Sequence, residues 1–519
     1  MKISKGAIAA GHPETAKTAE LILRDGGNAF DAVVAAQLTA CVAEPVLTSL
    51  GGGGFLLAKS GKDFPLLYDF FVQTPRQKKA ESEIHFHPIT ADFGPVQQEF
   101  HIGAGSIATP GTVKGLYQIH KDLCTIPFSR LVEPAIELAR KGLIMNSFQS
   151  HVLDVVKPIY LFSEDAREIF SSRGHDGRLT RDGDLLKQPL LADCLDQLAR
   201  HGESVFYSGG VAESIIRLSD EKGGHLTIQD LNHYRVYKRK PLRVGYRNNS
   251  VTLNPPPSSG GILIAFALKL METIDNQKLN FGASSSMDLI ALIQKLTEKA
   301  RIDNLLHEND ELSEIKLLDS KYLQMYAKEI KKRSLSSRGT TQISIVDNNG
   351  NMASLTSSNG EGSGCMIPGT GIMLNNMLGE EDLSPHGFHT WIPDQRMTSM
   401  MTPGLLEMEN ATQFIFGSGG SNRIRTALFQ LVVNLVDFNM TLAEAVSAPR
   451  IHFDSGFLNI ESGFDKMELP PLLKQYPDHK LWNKKSLFFG GAHAVQSGPE
   501  GFAGFGDPRR GGVSILINN

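Results

Sequence analysis

The sequence predicts an α/β protein. Apolar residues recur at helical spacing through most of the chain before Thr340, the stretch from Thr340 to Ala427 is rich in strand signals, and helix and strand alternate again towards the C-terminus. Glycine is in excess, 50 of 519 residues against a usual share of about 7%, so many turns and close backbone approaches are expected. At about 150 residues per domain the length allows three or four domains or one large unit. An apolar fraction of 41% with 21% charged residues excludes a disordered or fibrous chain, and a net charge of −4 leaves no basic field for nucleic acid or an anionic membrane.

In chain order, Glu14–Asp25 has helical spacing and ends at Gly26-Gly27; Asn28 caps a second, Ala-rich helix that runs to about Ala43 and stops at Pro45. Gly51–Gly54 leads into a strand, Phe55–Ala58. The polar segment Gln77–His101 reads as a surface loop. Val113–Leu123 and Phe128–Lys141 are amphipathic helices, 145–225 is mainly helical with charged loops, and Thr227 caps an acidic turn in Leu226–Tyr234. A strand pair spans Leu242–Leu253. Asn254–Gly261, with three prolines, is a rigid turn before the helix Ile262–Glu272, and 284–332 is helical. At Ser334–Gly339 the composition changes; strands Thr340–Asp347 and Asn351–Ser358 follow, then the helix Ala427–Val436 and a last strand, Val513–Ile517.

The four cysteines are widely spaced with no CxxC, so buried free thiols are expected and neither a metal site nor a disulfide framework. No motif calls for a cofactor. Gly51–Gly54 lacks the GK[ST] ending of a phosphate loop and opens into a strand. MKISKGAIAAGHP has no signal-peptide core, and Ala29–Leu47 carries Asp31, Gln37 and Glu44; the expectation is a cytoplasmic protein with no membrane span.

The segment with most chemistry is SSRGTTQISIVDNNGNMASLTSSNGEGSG. Thr341, Ile343 and Ile345 alternate with Gln342, Ser344 and Val346, a strand pattern, and Gly350 suits the positive φ of a hairpin loop. With the loop at 348–350, Asp347 pairs with Asn351 and Thr340 falls opposite Ser358; a two-residue loop would place Asn359 there instead. A hydroxyl at a strand start after Gly339 has one distinctive use. Cleavage of Gly339–Thr340 would free an α-amine titrating near about 7.7–8.0, able to take the proton of the Thr340 hydroxyl. On this pattern alone, β-forming threonines in an ordinary strand are the competing reading.

The wider chain resembles the γ-glutamyltranspeptidase family along nearly its full length. The matching pieces, in family order, are AAGHPETAKTAELILRDGGNAFDAVVAA, TSLGGGGFLLA, TPGTVKGL, PAIELARKG, LNPPPSSGG, TTQISIVDNNGN, GTGIMLNN, SMMTP, GSGGSNRI, SAPRIHF and GFGDPR. The resemblance implies an N-terminal-nucleophile hydrolase with a four-layer αββα sandwich. It implies self-cleavage between Gly339 and Thr340 into a large segment, 1–339, and a small one, 340–519, woven into one structural unit, with Thr340 as nucleophile.

Carried over residue by residue, it implies that the Ser358 hydroxyl supports the nucleophile and that backbone N–H groups within Gly419-Gly420-Ser421 form the oxyanion hole. The substrate end departs from the family pattern. Phe71 stands where an arginine holds the glutamyl α-carboxylate, with Arg76 five residues on as a replacement from a neighbouring turn. A serine pair becomes Ser399 and Met400, and two polar glutamyl contacts become Met377 and Gly360. Glu380, or Glu381 or Asp382 with a shifted register, is the counterpart of the acidic residue that meets the α-amine. The loop from Gly379 to Thr398 is short, which opens the site to larger substrates and to water.

The implied function is a self-processing amidohydrolase or acyltransferase for a γ-glutamyl or related amide, its partners a small-molecule or peptide amide and the other fragment of its own precursor; an oligomer is compatible with the sequence. An acylase for a non-glutamyl amide, and a non-catalytic binding protein on the same scaffold, are the alternatives.

Overall fold

The computed structural model describes residues 4–92, 97–172, 178–303, 317–319, 322–323, 326, 340–383 and 387–518. Two antiparallel sheets lie face to face at its centre. The first runs in the order Val513–Asn518, Ser4–Ala10, Thr341–Asp347, Met352–Ser358, Gly53–Lys59, Leu66–Phe70, Tyr237–Arg239. The second runs Gly501–Phe505, Gly491–Gly498, Gln413–Gly419, Gly404–Glu407, Asn249–Leu253, Leu242–Tyr246. In each sheet, strands from before Thr340 hydrogen-bond to strands from after it.

Period-two alternation separates the layers. Ile8, Ala10, Leu56, Ala58, Ile343 and Ile345 point outwards into one core with the helices Pro13–Arg24, Ala29–Ala43, Thr112–Leu123 and Phe128–Lys141. Ala7, Ala9, Phe55, Leu57 and Val346 point inwards and join a core with Leu405, Ile415 and Phe416 and the helices Ser259–Glu272, Ser284–Asp303 and Arg423–Val436. Helix, sheet, sheet, helix is the αββα sandwich. Ala29–Ala43 is buried on every side; its small residues let the neighbouring helices and the sheet approach all of its faces.

The polar face of Thr341–Asp347 is turned to the second sheet, and it is buried there because it is hydrogen-bonded. Gln342 Nε2 donates to Ser344 Oγ (3.0 Å) and Ser354 Oγ (2.8 Å), Thr356 Oγ1 donates to Gln342 Oε1 (2.6 Å), and Ser354 Oγ donates to the Phe416 carbonyl (2.8 Å). A satisfied polar network of this kind fixes the register between sheets more narrowly than apolar contact does.

Most elements match the sequence reading. Asn28 accepts from Phe30 and Asp31 at the start of Ala29–Ala43, and Phe128–Lys141 has the expected ends. The strands 242–246 and 249–253 pair, and all four cysteines are unpaired. Three readings are corrected. Gln77–His101 is not a loop throughout: His87–Asp92 pairs with Gln97–Ile102, and Phe100 and Ile102 anchor that hairpin in a side core. Ser4–Ala10, part of the N-terminal stretch that carries no strand pattern of its own, is an interior strand of the first sheet. The helix at 427–436 begins at Arg423; its first turn is buried too, but Arg423 and Arg425 interrupt the apolar pattern there. The end of the helical segment 284–332 and the compositional change at 334–339 lie outside the described residues, as does Gly339. Among the described residues no helix is long and apolar enough to cross a membrane.

Candidate active site

Thr340 immediately precedes the strand Thr341–Asp347, which pairs Thr341 with Ser357 and closes through Asp347–Asn351 and Gly350 (φ 77°). That register carries Thr340 and Ser358 to the same end of the hairpin. On the far side, Ser358 pairs with Gly53, and a Cβ at Gly52 would collide with the Ser358 carbonyl. The four-glycine run is therefore a close backbone approach behind the hairpin. Ser358 Oγ accepts from the Gly360 N–H (3.0 Å), which orients the hydroxyl.

Thr340 and Ser358 line one small cavity of about 30 Å³ together with Glu380, Ser399 and Ser421. Its remaining wall is apolar: Phe71, Met377, Leu383, Met400, Met401 and Ile424. A cavity this size holds only a reacting end. Three of its walls are methionines, which yield to a ligand more readily than branched side chains.

Gly419 ends the strand Gln413–Gly419 beneath Thr340; a Cβ there would overlap the Thr340 carbonyl oxygen. Gly420 (φ 126°) and Ser421 (φ 47°) then turn the chain into the helix Arg423–Val436. A turn of consecutive N–H groups running into a helix N-terminus is suited to negative charge. Ser399–Met401 is held from behind by the proline-rich turn: Ser258 Oγ donates to the Ser399 carbonyl (2.7 Å) and Asn254 Nδ2 to the Met401 carbonyl (2.9 Å).

Two residues expected at the substrate end are elsewhere. Glu381 is exposed, opens the short turn Glu381–Leu383 and is not among the cavity walls. Arg76 is 38% exposed and pairs with Asp394 at 3.0 Å, its backbone tied to Asp230. Glu381 is solvated where it stands, and Arg76 is drawn to Asp394. Glu380, one residue earlier, is the carboxylate that reaches the cavity and is buried.

Three residues near the site were missed. Arg396, buried, donates to the Phe71 carbonyl and to Tyr234 Oη (2.7 Å) and lies 3.3 Å from Asp69. With the Phe71 N–H donating to Asp69 Oδ1 (3.1 Å), it fixes the Phe71 backbone from both sides. Glu44 accepts from Thr15 Oγ1 (2.9 Å) and Thr341 Oγ1 (2.7 Å); burial pushes its pKa up to about 7 against the pull of those hydroxyls and of Arg510. Arg510 donates from Nη1 to the Thr340 carbonyl (3.1 Å). The signal in the sequence was a carboxylate inside an apolar run and a pair of arginines after Asp507-Pro508, each of which must find a partner if buried.

Comparison with known proteins agrees with this architecture. The family model described as Gamma-glutamyltranspeptidase matches residues 15–517. The "Glutathione hydrolase proenzyme" of Escherichia coli (strain K12) is 31% identical, the alignment covering 94% of this chain and 87% of the relative. The "Acylase ACY 1 proenzyme" of Pseudomonas sp. (strain SE83) is 28% identical, covering 96% and 91%. The crystal structure of cephalosporin acylase from Bacillus halodurans superposes with a TM-score of 0.85 at 24% identity, over 99% of this chain and 96% of that one, a likeness of fold. On the family match over nearly its whole length, the chain belongs to the gamma-glutamyltranspeptidase family.

Proposed function

We propose that the chain is a precursor that cuts itself between Gly339 and Thr340 and then works as an N-terminal-threonine amidohydrolase or acyltransferase. The observation that carries this reading is the meeting of Thr340, Ser358 and Ser421 at one cavity, with Gly419 packed against the Thr340 carbonyl. In processing, the Thr340 hydroxyl attacks the Gly339 carbonyl; the peptide C–N bond breaks as the ester forms, and water releases the Gly339 carboxylate. The freed α-amine becomes the base. It takes the hydroxyl proton as Oγ attacks the substrate amide, N–H groups of the Gly419–Ser421 turn receive the oxyanion, and the leaving amine departs with a proton. Ser358 holds the attacking oxygen in line. The acyl ester then passes to water or to an amine. The segments 1–339 and 340–519 stay together after the cut, because each central sheet is built from both.

The acyl group is a γ-glutamyl or related one, as the name of the Escherichia coli relative suggests. A second reading, an acylase for a non-glutamyl amide, is favoured by the apolar wall of Phe71, Met377 and Met400, which offers a free carboxylate no basic partner among the cavity's lining residues, and by the name of the Pseudomonas relative. The test of the shared core is direct. Purified protein resolves into two fragments, and Thr340→Ala leaves one; a mutant that still yields a fragment beginning at residue 340 contradicts it.

A further inference from the structure

Arg510 is 4% exposed, and its guanidinium is wedged between the nucleophile and the glycine turn. Nη1 donates to the Thr340 carbonyl at 3.1 Å. A Cβ on Gly419 would stand 3.1 Å from Nη1 and one on Gly420 3.4 Å from Nη2, so the same group lies under both glycines. The Thr340–Thr341 peptide is not the one that is cut, so this contact is common to precursor and product. Backbone N and O of one residue lie about 3 Å apart, which places an α-amine at Thr340 within about 7 Å of the guanidinium.

We propose, resting on the self-cleavage reading above, that Arg510 is a positioning residue that fixes the Thr340 carbonyl over the glycine turn and whose charge holds the liberated Thr340 α-amine in its free-base form at neutral pH. A cation beside an amine disfavours the ammonium, so the amine's pKa falls. The other charges facing Arg510 are Glu361, Asp507 and Glu44, which oppose this effect, and Arg450, which adds to it; Glu380, which lines the same cavity as Thr340, also opposes it. Asp507 is already shared with Arg450 (2.7 Å) and Arg509 (3.2 Å). Glu44 is held by two hydroxyls with its pKa raised to about 7, so it is only partly ionised at neutral pH. His493 nearby stays neutral, since burial pushes its pKa down to about 4. Burial also pulls Arg510 down to about 10, which leaves it charged throughout the working range.

The test is a titration of the α-amine itself, which needs no knowledge of the donor. The processed, folded protein is acetylated competitively with acetic anhydride across pH 5–10, then digested, and labelling of the residue-340 N-terminus is followed by mass spectrometry. The expected result is a wild-type midpoint below about 7, against about 7.7–8.0 for an ordinary α-amine. Arg510→Gln should raise it by about one unit, a tenfold loss of free base at a pH below both midpoints. Arg510→Lys, which keeps the charge, should leave it near the wild-type value. A wild-type midpoint at or above 8 overturns the proposal even if the glutamine variant does not fold, and so does an Arg510→Gln midpoint equal to wild type. Absence of any fragment beginning at Thr340 refutes the self-cleavage reading, and the proposal with it; a fragment with an ordinary amine refutes the proposal alone.

Discussion

Phe71→Arg asks whether the apolar wall sets substrate choice. The Phe71 backbone is fixed through Asp69, Tyr234 Oη (2.7 Å) and Arg396, so a new side chain starts from the same Cα. The ring is 1% exposed and stacks on Phe55 at 5.4 Å. Truncating such a ring to alanine would cost about 3–5 kcal/mol; arginine's stem recovers part of the packing, but its guanidinium must leave water until a carboxylate meets it, so a loss of about 3–5 kcal/mol is expected. A protein with about 5–15 kcal/mol of stability tolerates that. The gain is a charge-assisted, bidentate partner for a donor's α-carboxylate, worth about 1.5–3 kcal/mol. At about 1.4 kcal/mol per factor of ten, kcat/KM should rise roughly 10- to 150-fold on γ-glutamyl p-nitroanilide. The 4-aminobutyryl analogue, identical but for the carboxylate, is the control and should gain nothing. Equal gains on both substrates, or brisk wild-type turnover of the γ-glutamyl compound that Phe71→Arg abolishes in a folded protein, would refute the argument.

Four further outcomes follow from named contacts. Ser358→Ala should lower kcat by about 10²-fold with little change in KM, and full activity would remove Ser358 from the mechanism. Gly419→Ala puts a methyl group on the Thr340 carbonyl and should block fragment formation on gels while far-UV circular dichroism stays native. Arg396→Met should leave the Phe71 carbonyl to Tyr234 Oη and destabilise the fold by about 3 kcal/mol, read from urea midpoints, since it leaves the buried Asp69 with Arg239 as its cation and the Phe71 N–H as a further donor. Glu44 has its pKa raised from 4.5 to about 7, so ionising it opposes folding: its contribution is retained below about pH 4.5 and lost as pH rises to 7. Glu44→Gln should therefore gain on wild type by about 3 kcal/mol between pH 4.5 and 8; a constant difference in chemical-denaturation free energy across that range would contradict the assignment.

The parts of the fold that were legible share a local cause. Asn28 at one end and Pro45 just past the other bracket the buried helix through side-chain and backbone preferences that operate within one turn. Gly350 and alternation narrowed the hairpin to two registers, one placing Ser358 and one Asn359 opposite Thr340; the pairing of Thr341 with Ser357 is the first of these, and Thr340 and Ser358 line one cavity. What escaped depends on partners far along the chain. Ser4–Ala10 is a strand because Val513–Asn518 and Thr341–Asp347 flank it, and a run of small residues carries no strand signal of its own. Arg76 and Arg396 are both candidates by type; only the folded chain shows that Asp394 draws one outward while Asp69 and Tyr234 draw the other beneath Phe71. Arg510 lies 170 positions from Thr340, and no periodicity links them.

The most direct measurement of the central claim is the N-terminal sequence of the smaller fragment of purified protein. The account predicts Thr-Thr-Gln-Ile-Ser, beginning at Thr340, with Gly339 at the C-terminus of the larger fragment. An intact chain that turns over an amide, or a fragment that begins at another residue, would contradict it.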